Sequence, residues 1–363
     1  MHIAEKLTAK NQNIEFSRPT LSKEELETVL DCLVDDLVST GIIVDRFEKD
    51  MKSTFKFKNV VSVNTLSSAF HLSLLALDIQ ENDNIIISPF ASHSAFDAIL
   101  MLKAKPVLVD LGKSSFHFDI EEFKNRVAEV SPKAILIDHT FGCLFDIKKY
   151  LSSENTIPVI EDFSEVLGAD SEEIAIGKQG LISICGMSPQ HVITTGSGAI
   201  IVSSNDTIAD KIRFLKTGPK EKRSPNEPKY DFNLLDFQAA IGIEQISKLG
   251  VLIDRKKRIA QIYLQAVLAS THETFFKNAA GDQFNRFPII INKPSEEVGH
   301  YFKSLQIGID RTAKNPLHKI LELEASKFPN SERLYQRGIC IPIYPNLTKD
   351  NVNRIAKSIK GIY

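Results

Sequence analysis

Two neighbouring serines, Ser67 and Ser68, lie between a short apolar segment at residues 60–63 and an apolar stretch typical of a helix at residues 69–77. A helix N-terminus carries unpaired backbone N–H groups, and these groups together with two hydroxyls form a cradle for a phosphate group. The same residues also suit an ordinary helix cap. The segment is therefore a candidate phosphate site, with helix capping as the alternative.

Two further polar residues, His93 and Asp162, follow apolar segments at residues 85–87 and 159–160. The His93 imidazole is a candidate neighbour for the ring of a bound cofactor, and a surface-loop histidine is the alternative. The Asp162 carboxylate is a candidate partner for a ligand nitrogen, because a buried carboxylate without a cation is costly. A solvated carboxylate at a strand end is the alternative.

A glycine-rich segment, GMSPQHVITTGSG at residues 186–198, precedes another apolar run. Glycines in such a turn permit close approach of the backbone to a ligand. His191 lies within this segment, and an imidazole can take up and return a proton near neutral pH. The alternative is a loop histidine whose ring nitrogens form hydrogen bonds within the protein and that has no functional role.

Apolar strands that alternate with helical stretches must position these groups. The pattern predicts an α/β fold with a buried, mainly parallel sheet and helices on both faces. In such sheets ligands bind beyond the carboxyl ends of the strands, where the polar groups above are found. The predicted strands cover residues 60–63, 84–89, 106–110, 134–137, 158–162, 199–202 and 286–291.

The pattern also predicts two domains, a large cofactor-binding domain at residues 1–250 and a small C-terminal domain at residues 251–363. The boundary falls inside a long helical stretch at residues 235–268. A polar segment at residues 217–230, broken by glycine and proline, predicts a mobile loop. The other predicted helices cover residues 21–40, 44–55, 69–77 and 351–360.

Composition excludes several classes of protein. The 363 residues carry a net charge of -2, so no global basic field favours nucleic acid or an anionic membrane. The four cysteines are far apart, which favours free thiols over a zinc site or disulfides. No apolar run approaches the roughly 18 residues of a membrane span, and the first residues lack a secretory core. We therefore expect a cytoplasmic protein with neither nucleic-acid nor membrane partners.

Two other classes of protein explain the pattern less well. A flavodoxin-like or Rossmann module accounts for the alternating strands, but no GxGxxG follows the first strand. Such a module also leaves the segments around Asp162 and Gly196 unexplained. A metal hydrolase fits worse, because the histidines show no ligand spacing.

Taken in order, these segments resemble the DegT/StrS-type family, the nucleotide-sugar aminotransferases of PLP fold type one. The last of them, IPIYPNLT at residues 341–348, is similar to the family's terminal LPxYPxLT signature. The resemblance implies a PLP-dependent transferase fold, a pyridoxal or pyridoxamine phosphate cofactor, a nucleotide-sugar substrate and a homodimer. The other matching segments are residues 39–48, 104–110, 161–169, 236–242 and 328–332.

The resemblance implies a role for each candidate residue. Ser67 and Ser68 match the small residues that bind the cofactor phosphate. Asp162 matches the aspartate that pairs with the pyridine nitrogen and keeps the ring protonated as an electron sink. His93 matches the aromatic residue that stacks on the ring. Glu165 stands where the family usually has glutamine or histidine near the ring 3-hydroxyl.

Three positions depart from the family motif, which is roughly S-F-x-P-x-K-x-(I/L)-T-T-G-E-G-G. His191 replaces the cofactor lysine, Gly186 replaces a phosphate-binding serine, and Ser197 replaces the glutamate. An imidazole cannot form the covalent link to the cofactor that a lysine amine forms. Ordinary transamination is therefore disfavoured, and any cofactor is expected to bind noncovalently.

Two interpretations follow from these departures. One branch, which resembles GDP-4-keto-6-deoxymannose 3-dehydratase, also has histidine in the lysine position. That branch uses the aminated cofactor, and its histidine is the base in removal of a sugar hydroxyl. The alternative is a degenerate member, with or without cofactor, that binds a sugar nucleotide or regulates or dimerises with an active paralogue. An acidic residue at Glu165 favours the first interpretation, and the changes at Gly186, Ser197 and His93 favour the second.

Overall fold

A seven-stranded sheet forms the centre of the protein. The computed structural model describes residues 13–152, 156–218, 230–276 and 281–362. The strands are β1 (Asn59–Val63), β2 (Asn84–Ile87), β3 (Lys105–Leu108), β4 (Ala134–Asp138), β5 (Val159–Asp162), β6 (Ile182–Gly186) and β7 (Ala199–Ser203). Their order is β1-β7-β6-β5-β4-β2-β3. Strands β2 to β6 are parallel to one another, and β7 is antiparallel to β6 and β1. The predicted mainly parallel α/β sheet is confirmed.

Helices connect and cover these strands. They are α1 (Lys23–Val34), α2 (Ile42–Phe55), α3 (Leu66–Ala76), α4 (His93–Met101), α5 (Ile120–Val130), α6 (Asp206–Thr217) and α7 (Asp236–Leu268). Polar residues at strand ends begin several of them. Thr65 accepts from the Ser68 N–H at the start of α3, and Ser92 accepts from the Ala95 N–H at the start of α4. Such caps satisfy N–H groups that have no partner within the helix.

Both faces of the large sheet are buried against helices. In β7, Ile201 packs in one apolar cluster with Phe70 of α3. Its neighbour Ile200 packs in another cluster with Phe47 of α2. Successive side chains of a strand point to opposite faces of the sheet, so helices lie on both faces as predicted.

The C-terminal residues form a smaller unit. It contains β8 (Phe287–Ile290), α8 (Ser295–Ser304), β9 (Asp310–Arg311), α9 (Leu317–Ile320), α10 (Pro329–Arg337), β10 (Gly338–Ile341) and α11 (Lys349–Lys360), and its sheet has the order β8-β10-β9. Helix α7 joins the two cores, because Ile259 and Tyr263 pack in the C-terminal cluster and Ala239 packs against the large sheet. The division near residue 250 stays a prediction.

The observed elements differ from the sequence expectations in places. Helix α1 ends at Val34 rather than near residue 40, and Asp36 just beyond it has a left-handed φ of 56°. The sequence pattern does not predict β6, because Ser183 interrupts its apolar run. In the structure, the Ser183 hydroxyl donates to the buried Glu161 Oε2 at 2.8 Å. Most of the loop predicted at residues 217–230 lies outside the described residues.

Candidate active-site cleft

A cleft of about 580 Å³ lies beyond the carboxyl ends of β1, β2, β4, β5 and β6. Residues of the C-terminal unit, among them Arg286 and Thr312, line its opposite side. Five of the seven predicted site residues line this cleft, namely Ser67, His93, Asp162, Glu165 and His191. The fold therefore brings together groups that are far apart in the sequence.

The other two predicted residues, Ser68 and Gly186, are not part of the cleft lining. The Ser68 hydroxyl lies 2.7 Å from Asn64 Oδ1 and 2.7 Å from Thr65 Oγ1, so it belongs to the cap of α3. The Gly186 N–H donates to Ser164 Oγ at 2.7 Å. Both residues support the cleft wall, and direct contact with a cofactor stays a prediction.

One part of the cleft offers hydroxyl and backbone donors. Ser67 Oγ lies 3.0 Å from Ser94 Oγ, and the two serines occupy the first turns of α3 and α4. The N-terminal turns of two helices, whose first N–H groups have no partner within the helix, therefore adjoin two hydroxyls. This arrangement fits a phosphate ester, since helix N-termini stabilise anions. The Ser197 hydroxyl is engaged elsewhere, because it donates to the Asn64 carbonyl at 2.9 Å.

Buried carboxyl groups form the floor of the cleft. Asp162 is 8% exposed, and its Oδ1 accepts from both the N–H and the hydroxyl of Ser164. Burial, opposed by these hydrogen bonds and reinforced by Asp138 and Glu165, raises the pKa of Asp162 to about 7. Asp162 forms no ion pair with any cationic side chain of the described residues. A protonated pyridine nitrogen would supply the missing cation, so Asp162 fits the role that the resemblance implies.

His191 lies in the loop after β6, with its imidazole against the Gly186 backbone. Its Nδ1 accepts a hydrogen bond from the Ser188 N–H at 3.2 Å. Burial lowers the pKa of His191 to about 4, although the Glu165 carboxylate opposes the shift. The imidazole is therefore neutral at pH 7, as a proton acceptor must be.

Gly186 leaves the space that this imidazole occupies. A Cβ atom at position 186 would lie 3.1 Å from His191 Cε1 and 3.2 Å from both methyl groups of Leu66. These distances are shorter than ordinary van der Waals contacts, so any larger residue requires its neighbours to move. The replacements at positions 186 and 191 are thus sterically linked.

Arg286, which the sequence analysis did not single out, pairs with Glu165 in the cleft wall. Its Nε and Nη2 lie 3.1 and 3.0 Å from Glu165 Oε1, and Asn285 Nδ2 lies 3.3 Å from the same oxygen. The guanidinium centre lies 4.6 Å from the Phe141 ring centroid. Glu165 Oε2 is buried without a hydrogen-bond partner among the described residues. It can therefore accept a hydrogen bond from a ligand. A charged residue at the start of an apolar strand was the sequence signal for Arg286.

His139 is a second cleft residue that the sequence analysis missed. Its Nδ1 accepts from the Phe145 N–H at 2.9 Å, so Nε2 carries the proton and donates to Glu161 Oε1 at 3.1 Å. Both ring nitrogens are thus engaged within the protein. His139 therefore shapes the wall and takes no part in proton transfer in this arrangement.

His93 begins α4 and is exposed at the rim of the cleft. Its Nε2 lies 2.9 Å from the Asn315 carbonyl oxygen, which links α4 to the segment after β9. The histidine thus lies beside the cleft as the sequence predicts. Stacking of its ring on a cofactor stays a prediction.

A metal cluster and a membrane-spanning helix each place requirements on the residues that the structure describes. No cluster of three or more His, Cys, Asp or Glu residues there could hold a metal ion. None of the described helices combines the length and apolarity that a bilayer crossing requires. The four cysteines are thiols rather than disulfide partners.

The mainly parallel sheet and the cleft at its carboxyl edge define a protein with the PLP-dependent transferase fold. Residues 19–360 match the model of the DegT/DnrJ/EryC1/StrS aminotransferase family. The chain therefore belongs to that aminotransferase family.

Related proteins match the chain over nearly its whole length. An uncharacterized protein of Methanocaldococcus jannaschii is 30% identical over 376 residues, covering 95% of this chain and 96% of the relative. The GDP-perosamine synthase of Vibrio cholerae is 27% identical over 361 residues, covering 95% of this chain and 98% of the relative.

Solved structures agree with the fold. The apo form of the putative sugar aminotransferase Spr1654 from Streptococcus pneumoniae superposes with a TM-score of 0.88 at 18% identity, covering 96% of this chain and 97% of the other. The E. coli GDP-4-keto-6-deoxy-D-mannose-3-dehydratase with bound hydrated PLP superposes with a TM-score of 0.85 at 21% identity. The match covers 96% of this chain and 99% of the other. The predicted fold is confirmed.

Proposed function

We propose that this protein binds pyridoxamine or pyridoxal phosphate noncovalently and removes a hydroxyl group from a nucleotide-linked keto sugar. The observation that carries the proposal is a neutral His191 imidazole in the same cleft as the Asp162 carboxyl, which forms no ion pair with a cationic side chain of the described residues. Histidine in the lysine position removes covalent attachment and leaves a group that transfers protons. This combination favours deoxygenation over ordinary transamination.

Asp162, Ser67 and Ser94 are the residues that would hold the cofactor. The Asp162 carboxyl would pair with the pyridine nitrogen, and the two hydroxyls with the adjoining helix N-termini would bind the phosphate. The buried Glu165 Oε2 would accept a hydrogen bond from the ring 3-hydroxyl. When bound, the cofactor supplies an electron sink beside the sugar.

His191 would act as the base. Its neutral ring can accept a proton from the substrate at pH 7. Since the pKa of His191 is about 4, the protonated ring is also acidic enough to return that proton to the departing hydroxyl. Because Nδ1 accepts from the Ser188 N–H, Nε2 carries the proton of the neutral ring. The substrate proton would therefore be taken up at Nδ1, in place of that hydrogen bond.

The named relatives support a sugar nucleotide as the substrate. They include a GDP-perosamine synthase and a GDP-4-keto-6-deoxy-D-mannose-3-dehydratase. We therefore propose a nucleotide-linked 4-keto sugar, with the GDP-linked form as the first to test. A homodimer and a cytoplasmic location are further expectations from the family.

A second candidate function is that of a degenerate family member that binds a sugar nucleotide or regulates or dimerises with an active paralogue. Two observations favour it. Gly186 offers no hydroxyl at a position where the family uses serine, and the Ser197 hydroxyl is engaged with the Asn64 carbonyl. Under this alternative, the cleft performs no chemistry and needs no cofactor.

An assay with GDP-4-keto-6-deoxymannose and pyridoxamine phosphate tests the first proposal. We expect mass spectrometry to detect a product that has lost the hydroxyl. His191→Ala should bind the cofactor with unchanged affinity and lose at least about 100-fold in turnover, the usual contribution of a general base. His300→Ala, at an exposed position, is the matched control.

The outcomes separate the candidates. Unchanged turnover in His191→Ala would refute the role of His191 as base. Cofactor binding by the wild-type protein without turnover of any keto-sugar nucleotide would favour the degenerate alternative.

A further inference from the structure

A small chamber adjoins the cleft and shares Gln190, His191 and Arg286 with it as a common wall. Its volume is about 30 Å³, enough for about two water-sized spheres. Arg18 and Lys256 also line it, and its lining includes neither aspartate nor glutamate. The chamber is therefore cationic and has room for a small group.

Lys256 is the buried member of this cationic wall. It is 3% exposed, and its Nζ lies 3.1 Å from the Asn285 carbonyl oxygen and 3.4 Å from Asn285 Oδ1. Burial lowers the pKa of Lys256 to about 7, although Glu165 opposes the shift. No carboxylate of the described residues forms an ion pair with it. A buried ammonium group without an anion is costly, so an external anion would stabilise its charged form.

We propose that this chamber is a subsite for a small oxyanion, a carboxylate or a single phosphoryl group, bound by Lys256 and by Arg18 on its exposed side. Arg286 contributes charge rather than a direct contact, because its Nε and Nη2 are committed to Glu165. The common wall places the oxyanion next to His191. The assignment of this oxyanion to the substrate that binds in the cleft rests on the proposed function.

Anion binding at this subsite depends on pH through Lys256. The other charged or titratable groups around the chamber are Arg18, Glu165, His191, Arg286 and Tyr344. An anion raises the pKa of Lys256, so above about pH 7 binding must be accompanied by proton uptake. For acetate, whose charge is constant between pH 6 and 8, affinity should therefore fall by up to about tenfold per pH unit above pH 7 and be constant from pH 6 to 7.

Calorimetric titration of the cofactor-free protein with inorganic phosphate and with acetate tests the proposal. We expect saturable binding of both anions at pH 6, and weaker binding of acetate at pH 8. Lys256→Met should lose at least tenfold in affinity, and Lys256→Arg should retain it because the charge is kept. Arg258→Met, an exposed position on the same helix, is the matched control and should bind as the wild-type protein does.

The two anions distinguish the source of the group. Stronger binding of phosphate assigns the subsite to a phosphoryl group, and stronger binding of acetate assigns it to a carboxylate. Absence of saturable binding of both anions would overturn the proposal. The proposal would also be overturned if Lys256→Met bound the anions as tightly as the wild-type protein does. A heat signal with chloride equal to that with phosphate and acetate, at matched ionic strength, would overturn it as well. No cofactor is present in these titrations, so their failure is separable from failure of the proposed function.

Discussion

The pair formed by Gly186 and His191 bears directly on whether the cleft has lost its chemistry. The imidazole fills the space beside Gly186, with only 3.1 Å between His191 Cε1 and the site of a Cβ atom. A serine at position 186 would therefore crowd the His191 imidazole, so the two departures from the motif that the resemblance implies would be sterically coupled. This link weakens the argument for gradual degeneration and supports a cleft built around histidine.

Gly186→Ser should test this steric link. We expect a loss of about 1–3 kcal/mol in the free energy of unfolding, because the new side chain overpacks against His191 and Leu66. The loss should be smaller in a His191→Ala background, where the space is open. Urea unfolding of the wild type, both single variants and the double variant measures the coupling. Additive losses would show that the two positions are independent.

Asp162 should make the cofactor-free protein less stable as pH rises. Its folded pKa of about 7 exceeds its ordinary value of 3.8, so the folded state binds the proton more tightly. Its stabilising contribution is complete below about pH 4 and is lost as pH rises through 7. Asp162→Asn should flatten this fall in the free energy of unfolding between pH 4 and 8. Equal pH dependence in variant and wild type would contradict the assignment.

The sequence predicted the cleft residues that follow strands better than those that come from the C-terminal unit. Ser67 and Asp162 stand just beyond β1 and at the end of β5, and strand ends of a parallel sheet meet at one edge. Arg286, directly before β8, reaches the cleft, and Lys256 of α7 reaches the adjoining chamber. Their positions depend on how the C-terminal unit packs against the sheet, and no local pattern specifies that packing.

At the scale of elements, the buried Glu161 holds three strands of the sheet together. It is fully buried in β5, and its oxygens accept from His139 Nε2 after β4, Ser183 Oγ in β6 and the Gly177 N–H. A buried carboxylate with this many donors is favourable only while its partners are present. The sequence indicates β5 by its apolar residues but gives no sign of this network, because the donors come from separate segments.

Glu161→Ala should therefore be strongly destabilising. We expect a loss of about 3–5 kcal/mol in the free energy of unfolding, since the substitution leaves several buried donors without an acceptor. Chemical denaturation measures the effect, with the exposed Glu172→Ala as control. A loss no larger than that of the control would show that the network contributes little.

At the scale of the whole molecule, α1 presents an apolar face that nothing in the described chain covers. Leu26, Leu30, Leu33 and Val34 are 68%, 56%, 51% and 72% exposed. Their spacing places them on one face of the helix. A contiguous exposed apolar face marks an interaction surface more often than a free surface. We propose that this face contributes to the homodimer that the family resemblance implies.

Leu30→Glu should weaken that dimer. A charge in the centre of an apolar interface must be desolvated, so we expect a shift from dimer to monomer at micromolar concentration. Light scattering coupled to size-exclusion chromatography measures the mass. Leu268→Glu, at a position 85% exposed and outside this face, should leave the mass unchanged. A monomeric wild-type protein would contradict the proposal.

The central claim is that the cleft binds a vitamin B6 phosphate without a covalent link. Titration of the pure protein with pyridoxamine phosphate and with pyridoxal phosphate, followed by absorbance and melting temperature, tests it most directly. We expect both forms to raise the melting temperature, and Asp162→Ala to abolish the rise. We also expect borohydride to leave position 191 without a mass adduct, because its imidazole provides no amine. No change in absorbance or melting temperature with either form at millimolar concentration would contradict the claim.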